Sequence, residues 1–116
     1  MKLYVYAKCS TCRKAMAWLE KKGIEFEEIA IKETQPTVKE LKEVQAIYGG
    51  ELRRLFNTSG MDYREMELKD KLPTMSEKEA YALLRSNGML VKRPFLVGAG
   101  VGLVGFREME WEEKLG

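Results

Sequence analysis

The sequence predicts an α/β fold on a mixed sheet, and three observations predict it. A short β-branched and aromatic run at residues 2–6 precedes a helical pattern and a second apolar run, the β-α-β order of a right-handed parallel crossover. The middle of the chain carries two capping boxes ahead of helical apolar patterns. Near the end, two apolar runs flank Gly98-Ala99-Gly100 and precede a last helix, which reads as β-β-α.

Each element has its own signal. Tyr4, Val5 and Tyr6 mark the first strand, and residues 7–11 are polar and small. From Cys12, the apolar residues Ala15, Met16 and Leu19 fall on one helical face, and Lys21-Lys22 before Gly23 reads as the helix C-terminus. Phe26, Ile29 and Ile31 alternate roughly, so Ile24 to Ile31 is expected as a second strand. Thr37 and Glu40 open the next helix, with Leu41, Val44, Ile47 and Tyr48 as its apolar face and Gly49-Gly50 as its stop. Leu52, Leu55 and Phe56 suggest a short helical piece before the turn Asn57-Thr58-Ser59-Gly60. Glu65 to Leu68 fits no pattern. Ser76 and Glu79 form the second capping box, followed by Tyr81, Leu83 and Leu84 and the stop Asn87-Gly88. Val91 to Val97 is expected as a strand entered through Arg93-Pro94, with Val101 to Val104 pairing back on it. Glu108 to Leu115 is the final helix, with early acidic residues that suit its dipole.

Composition narrows the chemistry. The 116 residues make one domain of ordinary size, and a chain of this length buries roughly two-thirds of its unfolded surface. Twenty basic and 18 acidic residues leave +2, spread along the chain, so no direct nucleic-acid or membrane surface is expected. Histidine is absent, which excludes Ser-His-Asp and Cys-His mechanisms and the common His-bearing zinc sites. Two cysteines cannot build a four-cysteine metal site within one chain, and no metal is expected. The N-terminus lacks the pattern of a secretory signal. The longest weakly polar run, Phe95 to Phe106, carries four glycines and is well short of the ~20 residues that span a bilayer. The expected location is the cytoplasm, where a close cysteine pair is a catalytic, sensing or metal-binding feature.

That pair is Cys9-Ser10-Thr11-Cys12, placed between a strand and a helix. A C-x-x-C beside a β-α-β unit reads as a thioredoxin-like redox motif. Two intervening residues in a first helical turn bring the sulfurs close enough to join. Cys9 sits where free backbone N–H groups and the helix dipole favour a thiolate, and Lys8 and Arg13 add positive charge nearby. Cys9 is the expected nucleophile and Cys12 the resolving thiol, with Arg13 a candidate for holding an anionic substrate. A half-site for a metal shared between chains, or two small buried residues, are the alternatives for the same spacing. The Glu-rich runs at 25–28 and 108–113 read as solvated faces, and Trp18 and Trp111 as packing residues.

These residues resemble a known family. Cys9-Ser-Thr-Cys12-Arg13-Lys14-Ala15 with Ala17-Trp18-Leu19-Glu20 is similar to the start of Spx-type proteins. Pro36-Thr37, Leu55-Phe56-Asn57-Thr58-Ser59-Gly60 with Tyr63, and Leu90-Val91-Lys92-Arg93-Pro94 with Val104-Gly105-Phe106 resemble the wider arsenate reductase (ArsC)/Spx/MgsR family. The resemblance implies a single thioredoxin-like domain over 1–116 with a helical insertion at about 34–90. It also implies that Pro94 is a cis-proline facing the active-site cysteine.

In the ArsC branch one cysteine attacks arsenate and three arginines bind the oxyanion. Cys9 matches that cysteine, Arg93 matches one arginine and Arg107 falls close to another. Asn57 stands where the first arginine is expected, and Arg53 and Arg54 lie near it without aligning. The implied function is a thiol-dependent oxidoreductase cycling through an internal disulfide, a candidate arsenate reductase. It would need no cofactor beyond an external reductant such as glutathione, glutaredoxin or thioredoxin. The Spx branch implies the alternative, a redox-switched transcription regulator that binds the C-terminal domain of the RNA polymerase α subunit.

Overall fold

The computed structural model describes all of residues 1–116. Four strands form one sheet in the order β2-β1-β3-β4: β1 (Lys2–Val5), β2 (Glu27–Ala30), β3 (Phe95–Gly98) and β4 (Val101–Val104). β2 lies parallel to β1, with Tyr4 opposite Ile29. β3 runs antiparallel to β1, with Leu3 opposite Leu96, and β4 antiparallel to β3, with Leu96 opposite Leu103. The mixed sheet expected from the sequence is therefore present.

Strand alternation divides the core into two layers. Leu3, Val5, Leu96 and Leu103 face α1 (Ser10–Lys21) and α6 (Glu108–Leu115), where they bury Ala15, Leu19 and Trp111. Tyr4, Phe95, Val97 and Val104 face the other way, onto the helices between β2 and β3. Those are α2 (Val38–Ile47), the short α3 (Met61–Glu65) and α4 (Leu68–Lys71), and α5 (Glu77–Ser86), with single 3-10 turns at Leu52–Leu55, Leu72–Thr74 and Gly88–Leu90. Each buried leucine or valine contributes roughly 1.5–3 kcal/mol, so the two covered sheet faces supply the main favourable term of the fold. No helix is long and apolar enough to cross a membrane.

The helix signals translate into contacts. The Thr37 hydroxyl accepts from the Glu40 N–H at 3.1 Å, and the Glu40 carboxylate accepts from the Thr37 N–H at 3.0 Å. At α5 only half of the second box forms: Ser76 accepts from the Glu79 N–H, while the Glu79 carboxylate takes the Ser76 hydroxyl instead of its N–H. Asn87 ends α5, and its side chain accepts from the Met89 N–H. Gly88 is required by a close approach, since a Cβ there would sit 2.1 Å from the Ile31 carbonyl oxygen.

Three expectations need correction. The second strand is Glu27–Ala30 rather than Ile24–Ile31, because Ile24 donates to the Leu19 carbonyl and still belongs to the turn closing α1. β3 begins at Phe95 rather than Val91; Val91 makes only an isolated bridge to Phe56, and Pro94 has no N–H to give a ladder. Ile47 is 43% exposed, and Gln45 takes the buried place on α2. That amide is fully occupied: it donates to Gly50 O and Glu77 Oε2 and accepts from the Tyr81 hydroxyl, which removes the penalty of burying it. The uninterpreted stretch around residues 65–68 is the junction of α3 and α4, where Glu67 takes φ 53°.

Candidate active site

The turn after β1 delivers Cys9 to the head of α1. The Cys9 N–H donates to Tyr6 O at 3.0 Å, and the Cys9 carbonyl accepts from the Arg13 N–H at 3.2 Å, so Cys9 is the N-cap residue. No acidic side chain occupies the first turn, which leaves the positive end of the helix to the thiol. Cys9 is half-buried, Cys12 is fully buried, and both are free thiols.

Their electrostatics differ in sign. Burial pushes the Cys9 thiol up, but the Cys12 N–H, the Cys12 thiol and the Arg93 guanidinium together hold it below the usual thiol range. Burial pushes the Cys12 thiol up to about 12, and the neighbouring Cys9 adds to the rise against smaller lowering contributions from the Tyr6 backbone and Arg93. One sulfur is prepared to be a thiolate and the other to stay protonated.

Arg93 is placed by contacts of its own. Its guanidinium lies 5.4 Å from the centroid of the Tyr6 ring, and Nη1 donates to the Met89 carbonyl at 3.2 Å. Its Nε is buried without a hydrogen-bond partner. A buried donor left unpaired costs about 1–3 kcal/mol, so an acceptor brought by a ligand recovers that energy. The Arg93–Pro94 peptide bond is cis.

Cys9 and Arg93 open into a cavity of about 920 Å³, and Arg53, Arg54, Lys92 and Arg107 line it with them. Arg107 is also the N-cap of α6. Arg13 does not join this set; one position beyond the buried Cys12 it is exposed on α1, outside the cavity, as is Lys8. Asn57 lines the wall, its N–H held by Leu90 O at 2.8 Å. Lys92 was not singled out by the sequence reasoning, and Arg53 and Arg54 appeared there only as unaligned neighbours. The signal for all three was adjacency: a basic pair one turn before Asn57, and a lysine beside Arg93.

Such a site can do one kind of chemistry directly. A thiolate attacks an electrophile held by cations, and a second protonated thiol resolves the adduct. Residues 4–114 match the model of the ArsC family. The chain is 51% identical over 110 residues to the uncharacterized protein YusI of Bacillus subtilis, covering 95% of this chain and 93% of that one. It is 29% identical over 108 residues to the global transcriptional regulator Spx 2 of Bacillus cereus, covering 93% and 81%. The crystal structure of a possible arsenate reductase from Streptococcus mutans UA159 superposes with a TM-score of 0.85 at 41% identity, covering 96% of each chain.

Proposed function

The chain belongs to the ArsC family, and from that premise we propose that it is a thiol-dependent oxidoreductase acting on an anionic substrate, with arsenate the first to test. The observation that carries the proposal is the opposed behaviour of the two thiols: Cys9 is held low beside Arg93, while Cys12 is held high and buried three residues on.

The cycle follows from that asymmetry. The Cys9 thiolate attacks the arsenic of bound arsenate, and an oxygen leaves as water after protonation. The Cys12 sulfur, losing its proton, then attacks Cys9 Sγ. The S–S bond forms, the sulfur–arsenic bond breaks with its electron pair on arsenic, and arsenite departs. Two electrons have passed from two thiols to As(V). An external thiol, such as glutathione, glutaredoxin or thioredoxin, returns them by disulfide exchange. The sulfur chemistry needs no bound cofactor, and a reducing compartment such as the cytoplasm keeps the pair available. Arg93 orients the oxyanion with paired donors and balances its charge, and Arg107 and the other cavity cations add to the field.

The test is arsenate-dependent NADPH consumption, coupled separately through glutathione with glutaredoxin and through thioredoxin. Turnover that disappears in Cys9→Ser supports the reading and identifies the electron donor. Turnover retained in Cys9→Ser rejects it, and no turnover with either donor removes arsenate as the substrate.

A second reading rests on the 29% identity to a transcriptional regulator across 93% of the chain. In it the same pair is a switch that alters binding to the C-terminal domain of the RNA polymerase α subunit. A pull-down with that domain, oxidised against reduced, separates the readings; absence of binding in both states rejects the second.

A further inference from the structure

Met89 stands in the cavity with its sulfur against the guanidinium of Arg93. Arg93 Nη1 donates to Met89 Sδ at 3.7 Å and to the Met89 carbonyl at 3.2 Å. The side chain is half-buried and lines the same cavity as Cys9. The backbone that carries it is fixed on both sides. The Met89 N–H donates to Asn87 Oδ1 at 2.9 Å, and the Asn87 amide donates in turn to Asp62 Oδ2 at 2.8 Å. Met89 alone of the seven methionines accepts a hydrogen bond at sulfur. Met61 lines the cavity as well and is 74% exposed, but no cation donates to it.

The contact matters because of what Arg93 does elsewhere. Its guanidinium is one of the groups that hold the Cys9 thiol low, and its Nε is buried with no partner. A thioether is a weak acceptor, so the present Met89 contact leaves those donors largely free. Oxidation turns the thioether into a polar sulfoxide. One oxygen added to this sulfur places a strong acceptor within reach of Nη1 and Nε. A charged donor satisfied by such an acceptor is held more firmly than by the sulfur it replaces, by the usual margin of charge-assisted over weak hydrogen bonds.

We propose that Met89 is a redox modification site, oxidised to its sulfoxide by a small hydroperoxide that enters the cavity. The sulfoxide oxygen draws the Arg93 guanidinium into a hydrogen bond and withdraws it from Cys9. The step balances. The Met89 sulfur lone pair forms an S–O bond to one peroxide oxygen. The O–O bond breaks with its electron pair on the other oxygen, which takes the proton of the first and leaves as water. Sulfur gives up two electrons and the peroxide gains them. A thiol-dependent methionine sulfoxide reductase restores the thioether, so the change is reversible. The site goes beyond both readings of the cysteine pair, since it needs only that Arg93 face Met89 and Cys9 together.

The experiment treats the full chain with hydrogen peroxide after Cys9 has been capped reversibly with methyl methanethiolsulfonate. Dithiothreitol then frees the cysteines and leaves any sulfoxide in place. Trypsin releases residues 86–92 and 55–64, each with one methionine, Met89 and Met61, so one added oxygen is read at each position separately. The expected result is oxygen on both peptides and a Cys9 alkylation midpoint moved to higher pH, with the ratio of thiolate to thiol lowered about threefold at a given pH. Methionine sulfoxide reductases A and B together should return the midpoint to its starting value, a reversal that needs no variant. Met89→Leu keeps the carbonyl contact and lacks the sulfur, so peroxide should oxidise its Met61 and leave its midpoint unmoved. An unmodified 86–92 peptide at a dose that fully converts Met61 overturns the proposal. So does an oxidised Met89 with an unmoved midpoint, or an equal shift in Met89→Leu.

Discussion

The Arg93 guanidinium is stacked 5.4 Å from the centroid of the Tyr6 ring, so the cation that stabilises the Cys9 thiolate is held from the same turn that presents the thiol. Tyr6 is in this sense a positioning residue. Tyr6→Leu removes a cation–π contact of roughly 0.5–1 kcal/mol and should raise KM for an oxyanion about two- to fivefold. It should also move the Cys9 titration to higher pH. Tyr6→Phe keeps the ring face and should restore both. A Tyr6→Phe variant as impaired as Tyr6→Leu would assign the role to the hydroxyl instead.

Cys9 should alkylate with a pH midpoint below that of an ordinary thiol. The thiolate is the reacting species, and its fraction grows as pH rises through the thiol's pKa, so a lowered pKa starts the reaction at lower pH. Arg93→Ala removes a stabilising charge and should shift the midpoint upward. Cys12, pushed up to about 12 and fully buried, should stay unlabelled across the neutral range. Iodoacetamide labelling followed by peptide mass spectrometry reads all three; an unchanged midpoint in Arg93→Ala counts against the proposed electrostatics.

Cys12→Ser should stop the cycle after the first sulfur bond forms. With one equivalent of glutathione per chain, intact mass should show it bound through Cys9, and steady turnover coupled through thioredoxin should fall by about a hundredfold or more, in line with losing a group that acts in a covalent step. Undiminished turnover would make Cys12 dispensable.

Glu40 supplies a pH dependence far from the sulfur. Burial raises its pKa, but the Tyr4 hydroxyl at 2.6 Å, the Thr37 N–H and Lys2 at 3.3 Å outweigh that and hold the carboxyl low. A carboxylate depressed in the folded state contributes stability above its unfolded pKa, near 4.3, and that contribution is lost as pH falls through the folded value. Wild type should therefore lose stability below about pH 4.5 more steeply than Glu40→Gln, measured by urea unfolding across that range.

Gly88→Ala should destabilise strongly. Its Cβ would lie 2.1 Å from the Ile31 carbonyl oxygen, a backbone atom that cannot swing aside. A cost of about 3 kcal/mol or more, and a drop in Tm of roughly 10 °C, is expected by thermal unfolding. A Tm within a degree or two of wild type would show that the approach is relieved by backbone shift.

Much of this layout could be read from local chemistry. Cys9 and Cys12 were visible because their spacing, the strand before them and the helix after them all act within a few residues. The capping pair Thr37 and Glu40 was visible for the same reason. What escaped the sequence was set by distant partners. Gln45 is buried because Tyr81 and Glu77, more than thirty positions away, satisfy its amide. Ile47 is 43% exposed at the end of α2 even though its Cδ1 lies over Gly102 of β4. Arg13 read as a site residue because it is close in sequence to the cysteines, yet helical rotation carries it away from the cavity. Arg53, Arg54 and Lys92 reach the cavity through the pairing of residues 55–57 with 90–92, a contact that no local pattern announces.

That pairing assembles the cavity wall from two stretches of chain that are separate from the one bearing the thiol. Both cysteines sit on the turn after β1 and on α1, whereas the wall bearing Arg53 and Arg54 enters from the other side of a backbone seam at Leu55, Asn57, Leu90 and Lys92. In the proposed reductase, substitutions confined to residues 51–62 should alter the charge of the cavity wall while leaving the Cys9 environment as it is. A lineage can diversify its ligands along one side of such a seam without reinventing the reaction on the other.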